Sequence, residues 1–470
     1  MTRLRHLSLR RFGLGLLLAS LLSLLADPAA ASNAAVGLAG ASEDNLAVPR
    51  WLYLATGGAT VGASALLASF VTDRRFIERV HLWQTVLEAG VSDGLLRALR
   101  VAGGVLGLAV LTLAVYLGYT GPQVPTVSFA VIVVFAGLRA GYTMFSYLVA
   151  DTWRALNPWR TVAAAVPNGF VSYPERLGRW PAVAGILALV WVETATAVTT
   201  RPSVLATALV AYSVVTVAGA VVVGADAWFD KVDPVSVFLH FYGRVAPVRL
   251  DDDDGLSVRL PGMRLVTDDD LTDLGDVAVA VVLVWELTFS GFVTTEQGAA
   301  AIRWLAGVGL PPLLVYGLLY LGGFAVFLGL YVLAARVTAR RIDTFETPLD
   351  LAVTFAPSLL AIAAGYHLAH YFGFFVSLSP MLVHALSSPL SSPANPVVLT
   401  LPAWFGGLNV VFVLVGHLLA VWVAHSQAYR TFPSRLQAVR SQFPFVAVMI
   451  LYTVLSLWLI SLPTASPPFL

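Results

Sequence analysis

Ten runs of apolar residues, most of them close to the ~20 that carry a helix across a bilayer, decide what this chain can fold into. Hydrocarbon offers no hydrogen-bond partner to a peptide group. A segment inside it must therefore close its own backbone bonds as an α-helix or belong to a closed barrel. Barrel strands alternate apolar and polar residues, and these runs do not. The expected fold is all-α, a polytopic transmembrane bundle of about ten spans near residues 51–71, 101–119, 128–150, 182–200, 203–224, 277–295, 305–335, 349–376, 403–425 and 444–462. Composition agrees, with 58% hydrophobic and 12% charged residues, where a soluble domain carries about a quarter charged. The seventh run exceeds the membrane thickness, so it should tilt, kink near Pro311-Pro312 or protrude.

The basic residues orient the bundle. One set of alternate loops holds Arg74 to Arg100, Arg154 to Arg179, Lys231 to Arg264, Arg336 to Arg341 and Arg430 to Arg440, whereas the opposite set has Arg50, Arg201 and Arg303. Cytoplasmic loops carry such an excess, so the reading is a multi-pass protein of the cell membrane with its mature N-terminus and C-terminus outside. Residues 1–31 are expected to be a signal peptide. Arg3, Arg5, Arg10 and Arg11 precede an apolar stretch from Phe12 to Leu25, with small residues at Ala29-Ala30-Ala31-Ser32 and cleavage near Ala31. A retained anchor is the alternative, although the stretch is short for a span. Residues 32–470 then form one transmembrane domain, with a cytoplasmic loop at about 226–276 whose aspartate runs 251–254 and 268–270 read as solvated charge. Charges confined to short clusters present no basic face for nucleic acid. With no cysteine, any metal must be held by imidazole, carboxylate or carbonyl groups.

Ionisable residues within the spans need a partner or a role, since each costs ~2.5–3.5 kcal/mol at a helix centre. Arg139 lies in the third span, Glu193 in the fourth, Glu286 in the sixth, His367 and His370 in the eighth and His417 in the ninth. Counted from the outer span ends, all fall ~10–20 Å deep. They share one layer, which points to a single polar site in the outer half of the bundle. His367 and His370 at i,i+3 present two imidazoles on one helical face. With His417 and a carboxylate they form a candidate set for a divalent, zinc-like transition metal. Helix-to-helix hydrogen bonds and a structural Glu–Arg pair are the plainer readings. The runs Asn157-Pro158-Trp159-Arg160 and Tyr173 to Pro181 suit a helix cap at Asn157 followed by Trp and Arg anchors at the headgroups.

Across most of its length the chain resembles the fenitrothion hydrolase-like family of multi-spanning membrane proteins. The likeness rests on the run from Asn157, the run from Tyr173 to Pro181, Asp226 to Pro247 with Val235-Ser236-Val237-Phe238, Tyr366-His367-Leu368-Ala369-His370-Tyr371, the Gly416-His417 and Ala424-His425 pairs, and the tail from Ser441 to Leu462. The resemblance implies hydrolysis of hydrophobic phosphoesters. In that scheme His367, His370 and His417 would hold a metal, Glu193 or Glu286 would take the proton and Arg139 would offset developing charge. The residues themselves leave a second class open, a transporter or channel for a metal ion, a proton or a small solute, whose path the same groups would line. A haem carrier through paired histidines is a third. In each case the partners are the lipid bilayer and a small hydrophobic substrate or transported solute.

Overall fold

The computed structural model describes residues 50–87, 93–251, 255–268, 270–393, 395–402 and 404–470. The expected signal peptide and most of the aspartate run 251–254 lie outside them. Eleven helices matter here. They are α1 (Arg50–Ser69), α2 (Asp93–Thr120), α3 (Phe129–Leu148), α4 (Trp180–Ala195), α5 (Pro202–Val223), α6 (Pro234–Gly243), α7 (Leu274–Val293), α8 (Pro312–Arg341), α9 (Pro357–Ser387), α10 (Phe405–Thr431) and α11 (Arg435–Ile460). Among the described residues, eight helices are long and apolar enough to cross a membrane, and α9 does so together with the short helix Pro348–Phe355 before it. The two other expected spans are α1, of 20 residues, and α4, of only 16. The fold is thus the all-α membrane bundle that the apolar runs imply.

Prolines set several boundaries. The long seventh run does not kink but divides. Helix Glu296–Gly307 ends before Pro311-Pro312, and α8 begins at Pro312. Proline at a first helical position gives up an N–H that has no intrahelical partner anyway. α4, α5, α6 and α9 start on the same principle at Pro181, Pro202, Pro234 and Pro357. α7 and α9 are enclosed on nearly all sides, whereas α2 and α5 turn most of their surface outward. Such outward apolar surface suits lipid and not water.

Two local features position the site. The first is in α3, where Ile132–Tyr142 winds as a π-helix, a rare i→i+5 geometry found mostly as single turns at functional positions. The second is the crossing of α9 and α10, the most extensive helix pairing in the bundle. Gly365 and Gly416 face each other so closely that a Cβ on Gly416 would stand 2.8 Å from the Ala361 carbonyl oxygen. Small residues permit such backbone approach between membrane helices.

The 226–276 segment is more than a solvated loop. Its helix α6 turns inward, with Phe241 and Tyr242 fully buried. Its strands β2 (Val248–Asp251) and β3 (Gly255–Arg259) join β1 (Gln84–Leu87) in an antiparallel sheet of order β1-β3-β2. Asn157 does cap the helix at Pro158, accepting from the Arg160 amide at 2.9 Å. In the run Tyr173 to Pro181 Trp180 stays exposed, but the Trp of the first run is packed inside. Trp159 is buried and donates to Ser213 Oγ at 2.8 Å, and both Trp153 and Asn157 donate to Ser236 Oγ. An indole with a hydrogen-bond partner is tolerated in an apolar interior, so these residues clamp α6 to the bundle.

Between the buried residues of α6, half-exposed His240 lies 3.4 Å from Asp151 Oδ2 and 3.9 Å from Asp270 Oδ2. Burial alone lowers its pKa, but the hydrogen bonds and charges of the two aspartates outweigh burial and raise it above the ordinary 6.5. A group raised on folding stabilises fully below its unfolded pKa and ceases to do so as pH climbs through the folded value. His240→Gln is therefore expected to lower the thermal midpoint more at pH 6 than at pH 8. Exposure screens the effect to under about 1 kcal/mol. Equal losses at the two pH values would show that the aspartates do not hold an imidazolium there.

Candidate functional site

α4 and α7 begin at the same end of the bundle. Arg179, the residue before α4, pairs with Asp276 in the first turn of α7, inside a capping box that Asp276 forms with Asp273. Glu193 and Glu286 lie at nearly equal distances along these two helices, roughly 18–20 Å from their starts at 1.5 Å per residue. That shared height brings them to one cation. Arg139, in the π-helical stretch of α3, donates from Nη2 to Glu286 Oε2, and its Nε lies 3.5 Å from Glu193 Oε2. Glu286 is wholly enclosed, while Arg139 and Glu193 keep 13% and 12% of their side chains accessible.

Aromatic faces cover the guanidinium. Its Cζ lies 4.8 Å from the Tyr371 ring centre and 5.3 Å from that of Phe238, contacts that stabilise a desolvated cation by ~2 kcal/mol. Three buried polar atoms of this triad nevertheless have no partner: Arg139 Nη1, Glu193 Oε1 and Glu286 Oε1.

His367 holds the backbone of the triad in place. Its Nε2 lies 3.0 Å from the Arg139 carbonyl oxygen and its Nδ1 3.2 Å from the Tyr147 hydroxyl. A carbonyl can only accept, so Nε2 carries the proton and Nδ1 accepts from Tyr147. The imidazole stacks on Tyr371 at 4.7 Å and meets the edge of Tyr242 at 5.3 Å. Through Tyr242, α6 reaches the site from the charged end of the molecule.

The three histidines do not come together. His370 is one turn further along α9, its ring 5.2 Å from Tyr371 and its Nε2 without a partner. His417 bonds the Val413 carbonyl of its own helix through Nδ1 at 2.7 Å, and its Nε2 has no partner. The glycine crossing sets Gly416 against both Gly365 and the turn at Ala361, so His417 lies within roughly one turn of His367 in height. Counting residues from span ends gave that common layer but not the partners, since the two imidazoles bond different backbone carbonyls. Among the described residues no three His, Asp or Glu side chains are grouped to hold a metal ion. Both nitrogens of His367 are already engaged, so the side chains as they stand do not fit a metal, and no chemical step is derived through one.

Beside the triad, between α3, α4, α5 and α6, lies a cavity of about 200 Å³ with almost wholly apolar walls. Arg139 and Glu193 line it, as do the aromatic rings of Phe135, Trp159, Tyr212 and Phe238. Tyr147, Tyr242, Tyr371 and Phe238 were not singled out from the sequence. Tyr371 could have been, since it lies four residues after His367 on the same helical face.

No protein-family model, no curated protein and no solved structure matches this chain.

Proposed function

We propose that the protein is a multi-pass transporter of the cell membrane in which the Glu193–Arg139–Glu286 triad takes up and releases a proton as a small solute moves. One observation carries the reading. Two carboxylates face one guanidinium in the interior of the bundle, and among the described residues no other Lys or Arg pairs with either. Fully ionised, the triad would hold one uncompensated negative charge where hydrocarbon penalises it by several kcal/mol. A single proton shared within the triad removes that charge, and so does a cationic solute. Intramembrane carboxylates of this kind mark proton and ion paths. The Arg-rich end is read as cytoplasmic and both mature termini as extracytoplasmic, following the loop charges.

The test is proton flux in proteoliposomes carrying an internal pH indicator, under an imposed pH gradient and with a panel of solutes outside. Wild-type protein should pass protons well above empty vesicles, and Glu193→Gln and Glu286→Gln should each cut the flux at least tenfold. Flux equal in wild type and both variants would end the reading.

The apolar cavity favours a second reading, the ester hydrolase that the family resemblance implies. Glu193 would then accept a proton from water and Arg139 would offset charge on a phosphoryl oxygen. Turnover of a chromogenic phosphotriester by the purified protein in detergent, abolished in Glu193→Gln, would favour it over transport.

A further inference from the structure

We infer that the cavity beside the triad is a binding site for a lipophilic monocation, which enters from the bilayer between α4 and α5 and displaces the proton shared within the triad. This names the solute class of the transporter reading and rests on it.

Consecutive antiparallel helices in a bundle normally pack together. α4 and α5, joined by only residues 196–201, make hardly any contact with each other, and the cavity occupies the gap between them. The cavity is half-open and not an enclosed void, and Leu189 of α4 in its wall is 36% exposed. A ligand dissolved in hydrocarbon can therefore meet it between two apolar helices without crossing a polar layer.

The walls say what that ligand is. They are almost wholly apolar, with Arg139 and Glu193 the charged residues among them, so a hydrophilic ion with its hydration shell does not fit. An anion would face two carboxylates balanced by one guanidinium and be repelled. A cation supplies the one positive charge that the ionised triad lacks, opposite the Glu193 carboxylate with its unpartnered Oε1. Phe135, Phe238, Trp159 and Tyr212 offer ring faces to the same charge. A delocalised or alkyl-shielded cation pays little desolvation on entering, which an ammonium with free N–H groups does not match. The exchange is balanced: the triad with its one proton and a free cation become the fully ionised triad paired with the bound cation, plus one proton released. Proton and cation compete for one negative charge, and that competition is what couples their movement in opposite directions.

The probe is radiolabelled phenyltrimethylammonium, an alkyl-shielded cation small enough for a cavity of about 200 Å³, measured by equilibrium dialysis against the purified full-length protein in detergent. Saturable binding at one site is expected, with affinity falling up to tenfold per pH unit as the solution is acidified. In weakly buffered solution, saturation should release close to one proton per protein. Neutral tert-butylbenzene, of the same shape, should release none. Glu193→Gln should abolish the proton release and weaken binding at least tenfold, and Ala208→Trp, which fills the cavity from α5, should weaken binding without touching the triad. Size-exclusion profiles identify any variant that has failed to fold, and the pH series and the neutral analogue need wild-type protein only. Affinity independent of pH, or no proton release on saturation, overturns the inference. Proton flux in vesicles with no saturable cation binding would leave the transporter standing and remove its cationic solute, whereas binding with no flux would do the reverse.

Discussion

Arg139→Met should lower the unfolding free energy of the protein in detergent by about 3–5 kcal/mol, the usual cost of removing one partner from a buried ion pair. The side chain is nearly enclosed, ties together α3, α4 and α7, and lies between two aromatic faces. Its loss leaves Glu193 and Glu286 with no cation, and they must take up protons or separate. Methionine preserves much of the volume, so the deficit is electrostatic and not a cavity. For that reason Arg139→Met combined with Glu193→Gln and Glu286→Gln is expected to recover most of the lost stability while remaining inactive. A single variant as stable as wild type, or a triple variant no better than the single one, would show that the three side chains are not coupled.

The second large effect concerns the crossing of α9 and α10. Gly416→Ala places a methyl group 2.8 Å from the Ala361 carbonyl oxygen and from Gly365 Cα, and Gly365→Ala meets the Phe412 carbonyl oxygen at 2.6 Å. In both cases the obstacle is backbone, which cannot rotate out of the way. Overpacking of this sort costs ~1–3 kcal/mol. Once one methyl has pushed the helices apart, the second has less to displace, so the double variant should lose less than the sum of the two. Thermal unfolding of the four proteins checks this. Additive losses would mean that each glycine answers to a separate constraint.

The bundle was readable from the sequence because hydrocarbon admits so few backbone solutions. The triad was readable in part, since Arg139, Glu193 and Glu286 are costly residues at one depth and few arrangements relieve all three. Depth did not identify which groups face each other. His417 shares the layer, yet its Nδ1 is turned to the Val413 carbonyl of its own helix, and the direction of a ring leaves no mark in span lengths. The inward turn of α6 was hidden by its neighbours. The aspartates around it read as solvated loop, although Val237, Leu239, Phe241 and Tyr242 are all buried, on more than one side of the helix. Nothing in the composition of residues 132–142 distinguishes a π-helix from an α-helix, because both satisfy the same backbone groups with the same apolar side chains.

That widened stretch makes the length of one segment a critical quantity. Arg139 and Tyr147 sit on either side of its end, and His367 touches both, one by its carbonyl and the other by its hydroxyl. Adding or dropping a single residue between them would swing Tyr147 by about 100° around the axis and shift it ~1.5 Å along it. The imidazole could then keep one contact but not the other. Point substitutions in the apolar wall leave this spacing intact, so α3 can drift in sequence far more freely than it can change in residue number.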